Sequence, residues 1–345
     1  MKNDFNQNLK EEEKMTNIVE NRHEIFFIYD AKYCNPNGDP GDENKPRTDP
    51  ETGINLVTDV RLKRTIRDYL YDVEKKEIFV RLERDEEGYL PDAKERAKAF
   101  LPDELKNKKE KINIKKEKID ENILSKCIDV RLFGATIPLE LKDEKGKDKT
   151  TSITHTGPVQ FQMGRSFHKV IVERIKGTGA FASQKKKEQQ AFRTEYIVPY
   201  SLIGFYGVVN EHRAKETRLT EDDLAALYRG MWLGTKNMIT RSKLGLTPRI
   251  LLVIRYKPGN FQMSDLDSKL AIKSDKPDIE LRNTQDYVMI ADELVDALNK
   301  YKEKIEKILI KDDNTINFVT NNNEPTDLTS ILKQTGIPVE ELNLE

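Results

Sequence analysis

The chain has 345 residues, with 59 Lys and Arg against 60 Asp and Glu and a formal net charge of -1. Hydrophobic residues make up 37% and charged residues 34%, which excludes wholesale disorder and predicts a modest core with long charged excursions. Near-neutrality also excludes a uniformly basic nucleic-acid coat, so any polyanion site must come from local clustering.

At about 150 residues per domain the length allows two domains or one decorated domain. Met1 to Asn21 is acidic and amide-rich with no apolar stretch, so it reads as a loose tail, and neither export nor a membrane span is expected. Cys34 and Cys127 have no paired spacing, which argues against a zinc knuckle or disulfide frame and fits a reducing cytoplasm.

The first ordered element is Glu24-Ile-Phe-Phe-Ile-Tyr-Asp30, a continuous apolar run that predicts a buried central strand. From Cys34 to Gly53 the chain carries Pro36, Pro40, Pro46, Gly38, Gly41 and several Asn and Asp, which dictate an irregular loop. At about twenty residues it exceeds the usual structureless connection of roughly 12–15, and such loops tend to be functional. Thr58 can cap a helix to about Tyr71 whose apolar face is Leu62, Ile66, Tyr69 and Leu70.

Residues 92 to 126 are Lys- and Glu-rich, with too few apolar positions for a core of their own, and predict a solvent-facing helical insertion. Ile128 to Gly134 has strand character, and Lys142 to Lys149 is a charged loop. The runs Val170 to Ile175 and Tyr196 to Val209 flank a Gly- and Lys-rich stretch, as in a long hairpin with a basic tip. Thr220-Glu-Asp-Asp223 resembles a capping box opening a helix through Leu224, Leu227, Met231 and Trp232. Arg249 to Tyr256 is a second buried strand, then a helical run from about Ala291 to Ile310 and a polar tail. Together these predict an α+β chain built on an RRM-like or ferredoxin-like antiparallel sheet. Its parts are a tail over 1–22, the sheet domain over 23–260 and a C-terminal helical segment and tail over 261–345. The sheet domain is interrupted by the helical insertion at about 75–127 and by the hairpin at about 170–195.

The helix from Thr58 carries Arg61, Lys63, Arg64 and Arg67. Lys63 and Arg67, four apart, share a ridge and repel by roughly 0.2–0.5 kcal/mol, which a bound anion would relieve; a solvated basic face is the plainer alternative. In the preceding loop, Asn35-Pro-Asn-Gly-Asp39 can form a tight turn with Gly38 at positive φ, its amides and the Asn35 and Asn37 side chains turned outward, and Arg47 adds a cation. Such a loop suits a phosphate backbone; a self-satisfied turn is the alternative. Asp39, Asp42, Glu43 and Asp49 could instead hold divalent ions for phosphodiester cleavage, although their spacing matches no calcium loop. The four histidines, His23, His155, His168 and His212, lack metal-ligand spacing. Arg165 follows a Gly-Pro turn, Lys185-Lys186-Lys187 makes the hairpin tip basic, and Gly204 to Val209 echoes an RNA-stacking strand but lacks its leading basic residue and reads as core.

Asn35-Pro-Asn-Gly-Asp39, Pro46-Arg47-x-Asp49, Thr52-Gly53, Val57-Thr-Asp-Val60 and Leu62-Lys-Arg64 together resemble the N-terminal signature of the seventh CRISPR-associated protein family, most closely its subtype I-B branch, with subtype I-C the alternative. The resemblance continues through Asp129 to Gly134, Gly157 to Phe161, Gly164 to Ser166, Glu195 to Gly207 and Trp232 to Arg249, covering roughly 24–256. It implies an RRM-like palm, a helical finger and a hairpin thumb, with copies of the subunit stacked along one CRISPR RNA in a Cascade complex. It implies guide-phosphate contacts at Asn35, Asn37, Arg47, Lys63, Arg64 and Arg67, further contacts at Arg165, Arg241 and Lys243, and a base-displacing thumb at about Lys176 to Arg193, with Lys185, Lys186 and Lys187 at its tip. Its partners would be crRNA, target DNA through the guide, neighbouring copies and other Cascade subunits, with no catalytic residue and no cofactor. A metal-dependent endoribonuclease and a sequence-specific mRNA binder are the competing readings.

Overall fold

The computed structural model describes residues 17–81, 92–106, 108, 110–182, 190–320 and 324–344, with backbone alone at 178–182 and 190–193. It divides into two compact units. One holds the segment ending at Arg22, Ile66–Gln160 and Val208–Gly230; the other holds His23–Thr65, Phe161–Gly207 and Met231–Glu345.

The second unit is built on a mixed sheet of nine strands among the described residues. The path from edge to edge is Val339–Glu341, Ile305–Asp312, Leu246–Tyr256, His23–Cys34, Gln190–Val209, Gly164–Lys169 and Ile54–Val57. Pairing is mostly antiparallel, the outermost Val339–Glu341 strand being parallel to its neighbour. His23–Cys34 is central because nine consecutive residues from its start are buried, which demands cover on both faces. Phe26, Phe27, Phe205 and Tyr256 are at most 1% exposed and form the heart of this core. The second residue of the strand, Glu24, is buried as well. It accepts hydrogen bonds from the Tyr206 and Tyr256 hydroxyls and from the amides of Met263 and Ser264, so its carboxylate is surrounded by donors.

Two sequence expectations change in this unit. The run from Ala291 splits into a helix, Asp292–Tyr301, and a strand, Ile305–Asp312, whose Ile305, Ile308 and Ile310 are buried against the sheet. The β-branched residues win there because a full strand partner, Leu246–Tyr256, stands ready. The polar C-terminal stretch is also tied down: Arg249 on the Leu246–Tyr256 strand bridges Asp30 and Asp313 at 2.7 and 2.6 Å.

In the first unit, the Lys- and Glu-rich insertion does acquire a core. Ala93–Lys98, Asp103–Lys106 and Ile112–Lys126 are helices, and Gly134–Lys142 with Asp148–Thr156 forms a two-stranded sheet. Phe79, Phe100, Ile119 and Ile123 from the first part pack with Ile137, Leu139 and Ile153 from the hairpin. The apolar residues missing from the helices are supplied by strands that follow in sequence. Residues 17–22 are likewise not loose: Val19 is fully buried and donates its amide to the Leu219 carbonyl at 2.9 Å, while Arg22 pairs with Glu211 at 2.9 Å. The expected capping box holds, with the Asp223 amide on Thr220 Oγ1 and the Thr220 amide on Asp223 Oδ2. No helix among the described residues is long and apolar enough to cross a membrane.

Ile128–Phe133 is a helix rather than the strand its apolar run suggests. Asp129, fully buried, accepts the amides of Phe79 and Val80 at 2.7 and 3.0 Å and the Arg67 guanidinium at 3.0 Å, and Gly134 at φ 71° ends the turn. Tertiary anchoring of one carboxylate thus overrides local strand preference. Arg67→Ala removes the cation from that carboxylate and leaves it with backbone amides alone, and is expected to destabilise the protein by about 3–5 kcal/mol. Urea unfolding followed by far-UV circular dichroism measures it; a loss below about 1 kcal/mol would show the pair to be dispensable.

Candidate nucleic-acid interface

The long loop after the central strand is held by a two-residue ladder, Gly38–Asp39 against Lys45–Pro46, and by side chains that bond to its backbone. Asn37 Oδ1 accepts both the amide and the hydroxyl of Thr58 at 2.9 Å, tying the loop to the residue that opens the following helix. Thr58 Oγ1 in turn accepts the Arg61 amide, which makes it the expected cap. Asn35, 3% exposed, donates to the Asn44 carbonyl at 2.7 Å. Both asparagines therefore turn into the loop, contrary to the outward orientation expected from sequence. Gly38 does not take positive φ; it is required because a Cβ there would lie 2.1 Å from Asn44 Oδ1, and the left-handed positions are Glu43 and Asn44. The glycine serves close approach rather than an unusual dihedral.

Below the loop runs a buried polar chain that the sequence did not reveal. Asn55 donates its side-chain amide to the Arg47 carbonyl at 2.7 Å and accepts from Ser201 at 3.1 Å, while its backbone amide reaches Ser166 at 2.9 Å. The Ser166 hydroxyl donates to the His168 carbonyl. His168 Nε2 accepts the Leu202 amide at 3.2 Å, so Nδ1 carries the hydrogen and donates to the Lys169 carbonyl at 2.9 Å. Burial pushes the His168 pKa below its ordinary value, with the Lys169 carbonyl opposing. Only the spacing of polar residues inside strands, Asn55, Ser166, His168 and Ser201, could have signalled this network.

The cations divide by direction. Lys243, assigned to a surface contact from sequence, is partly buried and donates to the carbonyls of Asn35 and Pro36; burial, with Arg61 nearby, pushes its ammonium down to about 8. It is a buttress of the loop. Arg47 is a third exposed and pairs with Asp39 at 2.9 Å. Lys63 folds back on Asp59 at 3.0 Å, one helical turn away, with 13% of its side chain exposed. Arg67 faces Asp129 and stacks on Phe133, so the anticipated Lys63–Arg67 repulsion is offset: each has its own carboxylate. Arg64 and Arg165 are exposed, Arg165 lying opposite Leu56 on the edge strand that leads into the helix. Arg241 is exposed and pairs with Glu195 at 2.7 Å. Lys185, Lys186 and Lys187 lie outside the described residues.

The loop carboxylates are consumed as turn and ion-pair groups. Asp39 holds Arg47 and the Gly41 amide, Asp42 holds Lys45, Asp49 accepts the Glu51 amide, and Glu43 accepts the Tyr196 hydroxyl. Among the described residues no group of three or more His, Cys, Asp or Glu converges as a metal site. The geometry therefore offers an internally hydrogen-bonded loop with exposed guanidinium groups on neighbouring elements, Arg64 on the following helix and Arg165 on the Gly164–Lys169 strand.

A family model described as CRISPR-associated protein Cas7 matches residues 21–292. A protein of Haloferax volcanii named CRISPR-associated protein Cas7 is 32% identical over 314 residues, spanning 85% of this chain and 87% of that one. A chain from a solved "CRISPR RNA-guided surveillance complex, pre-nicking" superposes with a TM-score of 0.51 at 15% identity, over 94% of this chain and 97% of that chain. At that identity the structural likeness is one of fold.

The neutral, buried His168 carries a pH signature. Because its folded pKa is lowered, the unfolded chain binds the proton more readily, so its contribution is present above about pH 6.5 and is lost as pH falls below it. His168→Gln, which cannot titrate, should be less stable than wild type at about pH 7.5, with the gap narrowing at about pH 5. Paired urea titrations at the two pH values check this, and a gap that widens on acidification would contradict a neutral ring.

Proposed function

The chain belongs to the CRISPR-associated protein Cas7 family, and from that premise we propose that it is a non-catalytic backbone subunit of a type I Cascade complex. In this reading copies of the chain line up along one CRISPR RNA, grip its sugar-phosphate backbone without regard to sequence and leave the base edges free to pair with target DNA. Its partners are the guide, target DNA through the guide, neighbouring copies and the other Cascade subunits. The observation that carries the proposal is the rigid 35–58 loop, closed by Asn35, Asn37 and Lys243, beside which Arg64, Arg165 and Arg241 are exposed. Positioning without base readout is what such contacts provide.

In finer detail, the reading takes the sheet domain as an RRM-like palm, the insertion at about 75–127 as its helical finger, and the hairpin at about 170–195 as the thumb whose tip displaces a guide base. The N-terminal motif block supports subtype I-B over subtype I-C. Among the named contacts, Arg64 and Arg165 are the foremost phosphate ligands, Arg47 and Arg241 reach phosphate only by exchanging their Asp39 and Glu195 partners, Asn35, Asn37 and Lys243 shape the loop that carries Arg47, and Lys63 and Arg67 are held by carboxylates. No observation favours the endoribonuclease, since the four loop acids already have partners.

Neutralising two exposed arginines tests the proposal. The double variant Arg64→Gln/Arg165→Gln should bind guide-length RNA more weakly by the same factor for every sequence. The slope of log K against log salt should fall by about 0.7 per lost contact. Fluorescence anisotropy over a salt series with several unrelated RNAs measures both; unchanged affinity and slope would remove these residues from the interface.

A further inference from the structure

Tyr33 stands out once the loop is accounted for. It is a non-glycine residue in the left-handed region, at φ 47°, at the end of the central strand. Its neighbour Cys34 is 1% exposed, yet Tyr33 itself is 57% exposed. An L-residue with a bulky side chain is strained in that conformation, and glycine or asparagine is the usual occupant. Neither core packing nor backbone preference explains a tyrosine.

The kink is over-determined by its surroundings. On one side the Lys32 amide donates to the Gly245 carbonyl at 3.0 Å, and on the other the Asn35 amide donates to the Ser242 carbonyl at 2.9 Å. Gly245, at φ 127°, permits this approach, since a Cβ there would meet the Lys32 carbonyl oxygen at 2.3 Å. Two backbone clamps thus bracket Tyr33 and hold it in the kink. Leu244, on the facing loop, is 64% exposed. Lys32 and Arg241 are exposed on the same two segments. Among the described residues no hydrogen bond or ring contact engages the Tyr33 side chain.

We propose that Tyr33 is a stacking platform for an unpaired base of the bound RNA, presented by the strained turn beside the arginine-bearing loop and flanked by Leu244. This rests on the RNA-binding reading above and adds a base contact that is indifferent to base identity. A flat aromatic face offers a π-surface to any base, and the adjacent cations suit the connecting phosphates. Charge complementarity is what selects a nucleic acid over a protein as the occupant: the exposed Tyr33 and Leu244 lie on the two segments that also expose Lys32 and the Glu195-paired Arg241, and an aromatic beside cations is the arrangement single-strand binders use.

The test compares the full-length wild-type chain with Tyr33→Ala, Tyr33→Phe and Tyr33→Gly. Each is titrated by anisotropy with a guide-length RNA and with an abasic sugar-phosphate oligomer of equal length and charge. Wild type should prefer the base-bearing strand. In Tyr33→Ala that preference should shrink about ten-fold, while affinity for the abasic strand and its salt slope stay unchanged, and Tyr33→Phe should restore the wild-type ratio. Tyr33→Gly should melt at a higher temperature because the strain is relieved, and should bind like Tyr33→Ala. That combination shows that the strain is retained for the ring. If wild type binds RNA but the base-to-abasic ratio is the same in Tyr33→Ala, stacking is overturned, and this is the result expected of a tyrosine that docks a protein. If wild type binds neither strand, the RNA-binding reading fails and the stacking assignment falls with it.

Discussion

The loop and the elements around it depend on one constraint: the irregular segment between Asn35 and Gly53 must satisfy its backbone polar groups with only a two-residue ladder, Gly38–Asp39 against Lys45–Pro46, of its own. Asparagine side chains solve much of this because each carries an amide that imitates the peptide group. Asn35 supplies a donor to the Asn44 carbonyl and Asn37 an acceptor to Thr58, while Asn55, on the strand that follows, supplies a donor to Arg47 and an acceptor to Ser201. Lys243 completes the set by donating to two adjacent carbonyls from the opposite loop. A buried amide left unpaired costs about 1–3 kcal/mol, so these contacts decide whether the loop has one shape or many. Rigidity obtained in this way leaves the outward positions open to charge.

The same constraint explains why neighbouring cations have different fates. On one helix Lys63 is returned to Asp59, Arg67 is drawn to a fully buried carboxylate, and Arg64 between them is exposed. A helix advances about 100° per residue, so residues one apart point in unlike directions while residues four apart share a face. Basic composition along a helix therefore overstates the charge available to a ligand. Arg64 and Arg165, exposed beside the loop, carry guanidinium groups, which remain protonated in any local environment and present paired donors in a fixed fork.

Much of the scaffold was legible in the chain itself. The continuous apolar run from Glu24, the Pro- and Gly-rich loop, the Thr58 cap, the capping box at Thr220 and the long hairpin all correspond to elements of the structure. The misreadings share a cause: each involved a residue whose partner lies far away in sequence. Ile128–Phe133 looks like a strand until Asp129 finds the amides of Phe79 and Val80. Ile305–Asp312 looks like a helical continuation until Leu246–Tyr256 pairs with it. The sparse helices of the insertion look unable to form a core until the Gly134–Lys142 hairpin closes over them. At the interface, residue types and loop position were legible, whereas side-chain direction was not, because nothing local distinguishes an asparagine that faces solvent from one that replaces a peptide.

A net charge of -1 becomes intelligible in this setting. A strongly basic subunit would bind any polyanion along its whole surface and repel its own copies when they are set side by side, since like charges within a Debye length of about 8 Å are poorly screened. A chain that neutralises many of its lysines and arginines with adjacent carboxylates carries no such field. Specific attraction then depends on where an exposed cation is presented by an ordered neighbourhood, as Arg64 and Arg165 are beside the loop. In the proposed role, which requires holding a strand of arbitrary sequence beside further copies of the same chain, confining the charge is as important as possessing it. The paired acids serve that confinement, the loop acid that at first suggested a catalytic centre among them: Asp39, Asp59 and Asp129 set how far Arg47, Lys63 and Arg67 can reach toward a ligand.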